Sequence, residues 1–378
     1  MSSSVENEIL IKKVTVDERL RDKSETMAGK LLVSIIINNY NYDRFLAEAI
    51  DSALNQTYSN TEVIVVDDGS TDNSREIIAG YDDRIIPILQ PNGKQAAAFN
   101  SGFAKSKGDI IIFLDSDDYL MPNAVEQIAH LWKPELAKVH YRLKVVDADR
   151  QDLGYSMPQG SGLLSTGEVW RNLITTGGYT STPTSGNALN RQALQAVFPI
   201  PDEYKLTADD YLSTLIPFYG DVAAIEQPLG AYRIHGTNQW ALATVSPAKF
   251  QRFVRHDLQN YALLVKKATE LGHEVPPDLE QRSIGRLWSR INSLRLDPVN
   301  HPVPEDRAHT LVYQGIRCLW KYSDFNWQKR LFYSLWFLWV GFMPRPLAGF
   351  AITWLYAPHY RPKVINWTVQ RLRMLTSS

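Results

Sequence analysis

The sequence predicts an α/β fold with a mainly parallel sheet flanked by helices, followed by an all-helical C-terminal region. The first reason is that short apolar segments alternate with segments of helical spacing between residues 31 and 120, which is typical of a parallel sheet covered on both faces. The second reason is that the apolar spacing becomes helical from about Pro247 onward, with breaks marked by prolines. We therefore expect two regions of different architecture.

The elements of the α/β region follow in order along the chain. Apolar segments of strand length lie at 31–37, 61–68, 84–89 and 110–114, and helical spacing lies at 45–54, 71–78 and 95–105. Between 147 and 184 the chain is rich in Gly, Ser and Thr, which predicts long loops over a site. Because residues 1–30 are polar without a sustained period, we expect three parts: an N-terminal arm at 1–30, the α/β domain at 31–245 and the helical region at 246–378.

Composition excludes several classes of function. The chain of 378 residues has a formal net charge of −1, so no global field favours a nucleic-acid partner. Its single cysteine, Cys318, excludes an intramolecular disulfide and a zinc site built from several thiolates. The first residues lack the basic start and apolar core of a signal peptide. These features predict a cytoplasmic location.

The most informative segment is I-I-I-F-L-D-S-D-D-Y-L at residues 110–120. A buried strand there would deliver its terminal polar residues to the carboxyl edge of the sheet, where open α/β sheets bind ligands; these residues are Asp115, Ser116, Asp117 and Asp118. Crowded carboxylates repel one another, and a bound divalent cation would relieve that repulsion. Oxygen ligands favour Mg²⁺ or Mn²⁺ over zinc. Taken alone, the segment also fits a phosphatase nucleophile or the cap of the next helix.

A second acidic strand end is predicted at the same edge. The segment V-V-D-D-G-S-T-D ends in Asp67 and Asp68, and Gly69 permits a tight turn. Taken alone, this segment needs no function beyond a turn and a helix cap. Two acidic strand ends on one edge nevertheless predict a shared site, in which a carboxylate accepts from a base N–H or a ribose hydroxyl.

Five motifs in order resemble those of family 2 glycosyltransferases, which are GT-A fold enzymes that use nucleotide-sugar donors. They are V-S-I-I-I-N-N-Y-N-Y, A-I-D-S-A-L-N-Q-T-Y, V-I-V-V-D-D-G-S-T-D, N-G-K-Q-A-A-A-F-N-S-G-F and G-D-I-I-I-F-L-D-S-D-D-Y-L-M-P. The resemblance covers roughly residues 32–238. It implies that Asn38 and Tyr40 line the nucleoside pocket, that Asp68 contacts the base and that Asp115 lies near the ribose and the metal.

The resemblance also implies the rest of the donor and metal site. Asp117 would be the main metal ligand of the D-x-D motif, with Asp115 and His235 completing the metal shell; a lone histidine is more often structural, and both readings of His235 stay open. The full set of implied donor-binding residues is Asn38, Tyr40, Asp68, Asn92, Lys94, Gln95, Asp115 and Ser116. Phe99 stands where many family members have arginine, and Lys94 or Gln95 would compensate for that cation.

The acceptor side is implied by two later segments. In L-T-A-D-D-Y-L, Asp210 matches the family's catalytic base and Asp209 its acidic neighbour, although the same residues read alone are ordinary helix capping. One base opposite a leaving group held by metal implies inversion at the anomeric carbon. The loop T-S-T-P-T-S-G-N resembles the acceptor-facing loop through Ser185, Gly186 and Asn187, or is a plain connection. Arg233 would meet a phosphate or pair with a carboxylate.

Two aromatic, apolar segments follow at 331–343 and 347–357. Each is shorter than the about 20 residues that span a bilayer, and joining them would bury Arg345. We expect peripheral membrane association through 331–357, with Arg361, Lys363, Arg371 and Arg373 facing anionic lipid. The alternatives are core helices or a dimer contact.

Together these patterns predict an inverting, hexosyltransferase-type glycosyltransferase. It would transfer a sugar from a nucleotide sugar, by resemblance a UDP-sugar, to a hydroxyl of a glycan or lipid-linked acceptor, using Mg²⁺ or Mn²⁺. Its place would be surface polysaccharide biosynthesis at the cytoplasmic face of a membrane. There are two alternatives: a haloacid-dehalogenase-like phosphatase using Asp115, and a non-catalytic GT-A-like membrane assembly partner. Tyr119 argues against the phosphatase, because that family has Thr or Val at this position.

Overall fold

The computed structural model describes residues 31–160, 162–236 and 245–356. These residues divide into two compact units: the first comprises 31–169 and Thr180–His235, and the second comprises Trp170–Tyr179 and the residues from Gly236 onward. The predicted N-terminal arm and the four basic residues after Tyr356 lie outside the described residues.

The first half of unit 1 has the predicted alternation of strands and helices. In chain order these elements are β1 (Val33–Asn39), α1 (Asp43–Leu54), β2 (Thr61–Asp67), α2 (Ser74–Ala79), β3 (Ile86–Leu89), α3 (Lys94–Lys105) and β4 (Ile110–Asp115). The strands pair in parallel in the order β3-β2-β1-β4. Ile35, Ile36 and Ile37 are all fully buried, which explains why β1 reads as a continuous apolar run: both faces of a parallel strand are covered.

The second half of unit 1 extends the sheet with both orientations. Its elements are β5 (Tyr119–Leu120), α4 (Ala124–Leu131), β6 (Leu136–Val146), β7 (Asp152–Met157), β8 (Asn187–Asn190), α6 (Arg191–Gln195), α7 (Ala208–Leu215) and β9 (Asp221–Arg233). β8 joins β4 and β6 in antiparallel pairing, while β6 and β9 are parallel. The predicted parallel sheet is thus one half of a larger mixed sheet, and the predicted α/β class is confirmed.

Unit 2 is helical, as predicted. It contains α5 (Trp170–Thr176), α8 (Pro247–Glu270), α9 (Ile284–Leu296), α10 (Ala308–Lys321), α11 (Trp327–Phe342) and α12 (Arg345–Tyr356). The α8 helix begins with Pro247 in its first turn and with the Ser246 hydroxyl accepting from the Lys249 amide, the usual chemistry of a helix start. Phe250, Leu287, Leu311 and Phe337 meet in the core of this unit.

Two features lie where the sequence predicted only loops. The strand β7 and the helix α5 both fall within 147–184. Asp152–Met157 is mostly exposed or half-buried, so its strand has little apolar alternation to reveal it. In the described part of the chain, none of the helices has the length and apolarity needed to cross a membrane.

Candidate active site

The carboxyl ends of β1, β2 and β4 meet at one edge of the sheet. The strand register sets Asn38 opposite Asp115 and Asn39 opposite Asp67. The Asn38 Nδ2 donates to Asp115 Oδ1 at 3.0 Å, and the Asn39 Nδ2 donates to Asp67 Oδ2 at 3.1 Å. Parallel strands end on the same side of a sheet, so residues far apart in sequence come together here, as expected.

Asp68 is buried, and its carboxylate organises the loop before α3. It accepts from Gln90 Nε2 at 2.7 Å, from the Gly93 amide at 2.9 Å and from the Lys94 amide at 2.7 Å. Gly69 has φ +82°, and a Cβ there would lie 2.7 Å from the Asn92 nitrogen, so only glycine fits this turn. The observed contacts of Asp68 are therefore within the chain, and its contact with a nucleotide base stays a prediction.

The other predicted donor-binding residues surround this loop. Tyr40 is 43% exposed, and the Lys94 Nζ lies 5.5 Å from the centroid of its ring. Asn92 is exposed beside them. Gln95 points elsewhere, since its Oε1 accepts from the Ala208 amide at 3.1 Å and so connects α3 to the start of α7. Tyr40, Asn92 and Lys94 thus form an accessible rim, whereas Gln95 links two helices.

The acidic segment after β4 contains one carboxylate that is fully enclosed. Asp118 is 2% exposed; it accepts from the Ser185 Oγ at 2.6 Å and from the Arg233 amide at 2.9 Å. Burial and then repulsion from Asp117 and Asp115 raise the pKa of Asp118 well above its usual range. Burial and repulsion from Asp117 likewise raise the pKa of Asp115 to about 6, opposed by hydrogen bonds from Asn38 and Thr184. Ser116 is buried between them.

His235 lies beside the D-x-D segment, as the resemblance implied. Its Nε2 is 2.9 Å from Asp117 Oδ2. The imidazole packs against the rings of Tyr42 and Phe45, with centroid separations of 5.5 and 5.0 Å. The histidine is therefore held in a fixed orientation toward Asp117 by its aromatic neighbours.

The side chains here fit a divalent cation only in part. No group of three His, Cys, Asp or Glu side chains among the described residues is arranged to hold a metal by itself. Asp117 and His235 nevertheless present one oxygen and one nitrogen ligand side by side, next to carboxylates that repel one another. Mg²⁺ sites commonly use one or two carboxylates together with substrate phosphates. The donor set therefore fits a cation that is bound jointly with a phosphorylated ligand.

Arg233 is a structural residue that fixes the backbone of the acidic segment. Its side chain is 1% exposed and donates to Glu48 Oε2 at 2.5 Å, to the Asp117 carbonyl at 2.8 Å and to the Ala148 carbonyl at 3.1 Å. Of the two roles predicted for Arg233, pairing with a carboxylate is the one observed. The partner is Glu48, whose side chain is largely buried. Nothing in the sequence distinguishes Glu48, because one carboxylate on an amphipathic helix is usually solvated.

The predicted acceptor loop is buried at its end. Ser185, Gly186 and Asn187 are all enclosed. The Ser185 Oγ also accepts from the Asp115 amide at 3.1 Å, and the Asn187 side chain donates to the carbonyls of Thr182, Pro183 and Thr184. These three residues shape the loop from within, and the side chain of the preceding Thr184 is partly exposed.

Thr184 connects the two predicted halves of the site. Its hydroxyl donates to Asp209 Oδ2 at 3.4 Å, and its side chain also hydrogen-bonds to Asp115. Asp209 and Asp210 both lie in the first turn of α7 and are partly exposed. The helix that carries the predicted base therefore begins beside the acidic strand end, which the sequence implied only through the family resemblance.

Phe99 belongs to the core and not to the site. It is fully buried and stacks on Phe113 with a centroid separation of 4.1 Å, and Phe113 in turn stacks on Phe198. An arginine in this position would lose its solvation among aromatic rings. The departure from the family pattern is therefore accommodated by an aromatic stack under α3.

Comparison with known proteins identifies the family. Residues 34–172 match the model of glycosyl transferase family 2. The chain contains a family 2 glycosyltransferase domain. This domain includes the ends of β1, β2 and β4, and the GT-A architecture expected of the family agrees with the mixed sheet and its flanking helices.

Relatives of this glycosyltransferase domain occur in several bacteria. An uncharacterized glycosyltransferase of Nostoc sp. is 37% identical over 220 residues, which cover 54% of this chain and 66% of the relative. The glycosyltransferase GlyG of Streptococcus pneumoniae is 42% identical over 101 residues, or 26% of this chain and 34% of the relative. The chain thus spans between a third and two thirds of the length of these two relatives.

Solved structures with a similar course of the chain include Staphylococcus aureus TarS. The structure of TarS 1–349 in complex with UDP-GlcNAc is 16% identical and has a TM-score of 0.48, covering 88% of this chain and 93% of that one.

Proposed function

We propose that this glycosyltransferase transfers a sugar from a nucleotide sugar, by family resemblance a UDP-sugar, to a hydroxyl of a glycan or lipid-linked acceptor. The main supporting observation is the convergence of three strand ends on one edge, with Asn38 bonded to Asp115 and His235 to Asp117. The exposed Tyr40 and Lys94 lie on the rim of the same edge. Stacking on the ring and attraction to the ammonium group suit a nucleoside diphosphate.

A divalent cation would be held by Asp117 and His235 together with the diphosphate of the donor, with Asp115 close by. When bound, Mg²⁺ or Mn²⁺ neutralises charge on the leaving nucleoside diphosphate. Arg233 supports this role by holding the Asp117 carbonyl, and Asn38 holds Asp115. Both carboxylates are thereby kept at fixed positions, which the chemistry of a single transfer step requires.

We propose Asp210 as the base and Asp209 as the residue that positions it. The Asp210 carboxylate takes the proton of the acceptor hydroxyl, the hydroxyl oxygen bonds to the anomeric carbon, and the bond from that carbon to the diphosphate oxygen breaks. A single displacement of this kind inverts the anomeric configuration. The position of both aspartates in the first turn of α7, next to Thr184, supports this arrangement.

Asp210→Asn tests the assignment of the base. The amide cannot accept the proton, so we expect kcat to fall by about 10²- to 10⁴-fold while the donor affinity changes little. Sugar transfer from a panel of nucleotide sugars and the anomeric configuration of the product by NMR are the measurements. Asp202→Asn is the matched control, because that aspartate is 87% exposed. Full activity of Asp210→Asn, or a product with retained configuration, would contradict the mechanism, and a wild-type chain that binds donor without transfer would favour the non-catalytic assembly partner.

We further propose that α11 and α12 hold the enzyme at a membrane, where a lipid-linked acceptor and surface polysaccharide synthesis are found. One side of each helix packs into the core of unit 2 through Trp336, Phe337, Val340, Ala348 and Ile352. The other side exposes large apolar residues, namely Leu331, Phe332, Leu335, Leu338, Trp339, Phe342, Leu347 and Phe350. We call these eight residues the apolar face.

The apolar face continues from one helix to the other. The Trp339 indole nitrogen donates to the Leu347 carbonyl at 3.2 Å, so its exposed residues on the two helices adjoin. Exposed apolar patches of this kind mark interaction sites. Lys329, before the first residue of the face, and Arg345, between its two helices, add exposed cations. Aromatic and aliphatic side chains flanked by cations suit the interface of an anionic bilayer. The predicted alternative, that these are core helices, describes their opposite sides, which pack into the core of unit 2.

Leu335→Glu with Trp339→Glu tests the membrane proposal. Because Leu335 is 58% and Trp339 47% exposed, the fold should persist, while vesicle affinity should fall by about tenfold or more. Co-sedimentation of the full chain with phosphatidylcholine vesicles measures it. Leu271→Glu, at an exposed apolar residue outside the face (42% exposed), is the control. Equal sedimentation of wild type and the double variant would contradict the proposal.

A further inference from the structure

Unit 2 contains a cavity that is lined by none of the residues proposed above for sugar transfer. It has a volume of about 320 Å³ and lies between the end of α9, the segment before α10 and the start of α12. Three arginines, Arg295, Arg307 and Arg345, line it. Each arginine comes from a different segment of the chain. They are therefore brought together by the fold and not by closeness in the sequence.

The three guanidinium groups have no carboxylate of the described residues as an ion-pair partner. The Arg295 Nη2 donates to the Met343 carbonyl, and its Nε is buried without a hydrogen-bond partner in the described structure. Among the described residues, Arg307 donates only to the carbonyls of Pro304 and Asp306. Burial and the nearby charge of Arg345 lower the pKa of Arg295. Gathering like charges costs free energy, which an anion bound between them would recover.

The one carboxylate in the lining is already paired within the protein. Asp306 accepts from Arg290 through both of its oxygens, the Nε bond measuring 2.8 Å. The His301 Nε2 lies 2.9 Å from Asp306 Oδ2. Arg290 also donates to Glu280 Oε1 at 2.6 Å, but the three arginines of the lining outnumber its single carboxylate, so the cavity keeps a positive character.

The start of two helices adds to this positive character. Ala308 and Arg345 line the cavity and are the first residues of α10 and α12. The free backbone N–H groups and the dipole at a helix start both favour an anion. Arginine forks and helix starts are both common protein partners of phosphate.

The lining of the cavity adjoins the apolar face along the chain through Arg345. Arg345 begins α12 directly after the turn that follows Phe342, and Leu347 lies two positions further on. Phe342 is 59% and Leu347 43% exposed. A group bound by the arginines would therefore lie at the level at which these side chains meet a bilayer, which is the level of lipid phosphates.

We propose that this cavity binds the phosphate group of an anionic membrane lipid while the apolar face rests on the bilayer. The inference depends on the membrane association proposed above. It adds a specific headgroup site to that association and accounts for the otherwise costly meeting of Arg295, Arg307 and Arg345. Arg295 would contact the phosphate from the inner wall, and Arg307 and Arg345, both exposed, from the rim.

Arg307→Gln with Arg345→Gln tests the site in the full chain. Co-sedimentation is measured with vesicles of phosphatidylcholine alone and of phosphatidylcholine containing phosphatidylglycerol. Wild type should bind the anionic vesicles more tightly, and the double variant should lose about 30-fold on them, since each arginine near an anionic surface contributes about fivefold. Binding to neutral vesicles should be unchanged, because it reports the apolar face. A failure of the site is thereby distinguished from a failure of membrane association.

Arg255→Gln with Lys321→Gln is the matched control, since it removes the same charge from exposed residues of unit 2 that do not line the cavity. We expect a change within about twofold. Equal losses in both double variants, or no loss in Arg307→Gln with Arg345→Gln, would overturn the proposal. If inorganic phosphate or UDP raised the unfolding temperature of wild type, but not that of Arg307→Gln with Arg345→Gln, the lipid proposal would also be overturned, in favour of a soluble anion. Should the double variant not fold, Arg345→Gln alone provides the same comparison.

Discussion

Buried polar side chains position the candidate active site. Ser185 donates to Asp118 and accepts from the Asp115 amide, while Arg233 bonds to Asp118, Asp117 and Glu48. These hydrogen bonds fix the acidic segment that carries Asp115 and Asp117 at the edge of the sheet. Hydrogen bonds to a buried carboxylate are strong and costly to remove.

Ser185→Ala should destabilise unit 1. The substitution removes the only side-chain hydroxyl that bonds to Asp118 among the described residues, leaving a buried carboxylate oxygen unsatisfied at a cost of about 1–3 kcal/mol. Chemical denaturation measures the change in the free energy of unfolding. Ser289→Ala, which removes a hydroxyl bonded to a carbonyl of its own helix on the surface, should change it by less than about 0.5 kcal/mol. Equal effects of the two substitutions would mean that Ser185 does not support the site.

At this scale the sequence predicted residue types better than residue contacts. Asp115, Asp117 and His235 lie together as the motifs implied. Ser185, Gly186 and Asn187, however, are buried, and Asp68 bonds to its own loop. A motif records which residues are required near a site, but whether a side chain faces the ligand or supports a neighbour depends on packing that the motif does not contain.

The helices of unit 2 approach closely where one of them has glycine. Gly315 of α10 is buried, and a Cβ there would lie 2.5 Å from the ring of Phe337 in α11. Phe337 is itself fully buried and cannot turn away. This contact sets the spacing of α10 and α11, and thereby helps determine which side of α11 faces the core.

Gly315→Ala should destabilise unit 2 even though alanine favours helix. The overpacking costs about 1–3 kcal/mol against a propensity gain of up to about 1 kcal/mol. Gly349→Ala, in α12 with open space around its Cβ, provides the gain without the clash. We therefore expect Gly315→Ala to be less stable than Gly349→Ala by about 1–3 kcal/mol in thermal or chemical unfolding. A more stable Gly315→Ala would mean that α10 and α11 can separate without cost.

The sequence predicts the elements with strong periodicity but not the weakly patterned ones. The strands of the parallel half and the helices after Pro247 have apolar runs or helical spacing, and both classes are found. β7, by contrast, is exposed along Asp152–Leu153–Gly154 and gains its strand conformation from pairing with β6. Such strands depend on a neighbour, so the segment alone has no signal for them.

For the molecule as a whole, donor binding should raise the unfolding temperature. A ligand that binds only the folded state at 100 times its Kd adds about 2.7 kcal/mol. We expect one or a few nucleotide sugars to do so, more strongly with Mn²⁺ than without it, and Asp117→Ala to lose the part that depends on metal. Thermal unfolding with a panel of nucleotide sugars is the measurement.

Asp149→Ala is the control for this experiment, since Asp149 is 80% exposed and pairs with Arg44 at the surface. It should keep the metal-dependent stabilisation of wild type. If Asp117→Ala kept it as well, the cation would be bound elsewhere.

The sequence by itself determined the α/β class, the helical C-terminal region and the family, because hydrophobic period and ordered motifs are local properties that any folded state must satisfy. The tertiary structure alone decided that β8 and β9 complete a mixed sheet, that Arg233 pairs with Glu48 rather than facing outward, and that α11 and α12 bury one side and expose the other. It also gathered Arg295, Arg307 and Arg345 around one cavity. These features depend on contacts between residues far apart in the chain, whose free energy arises only when the elements pack.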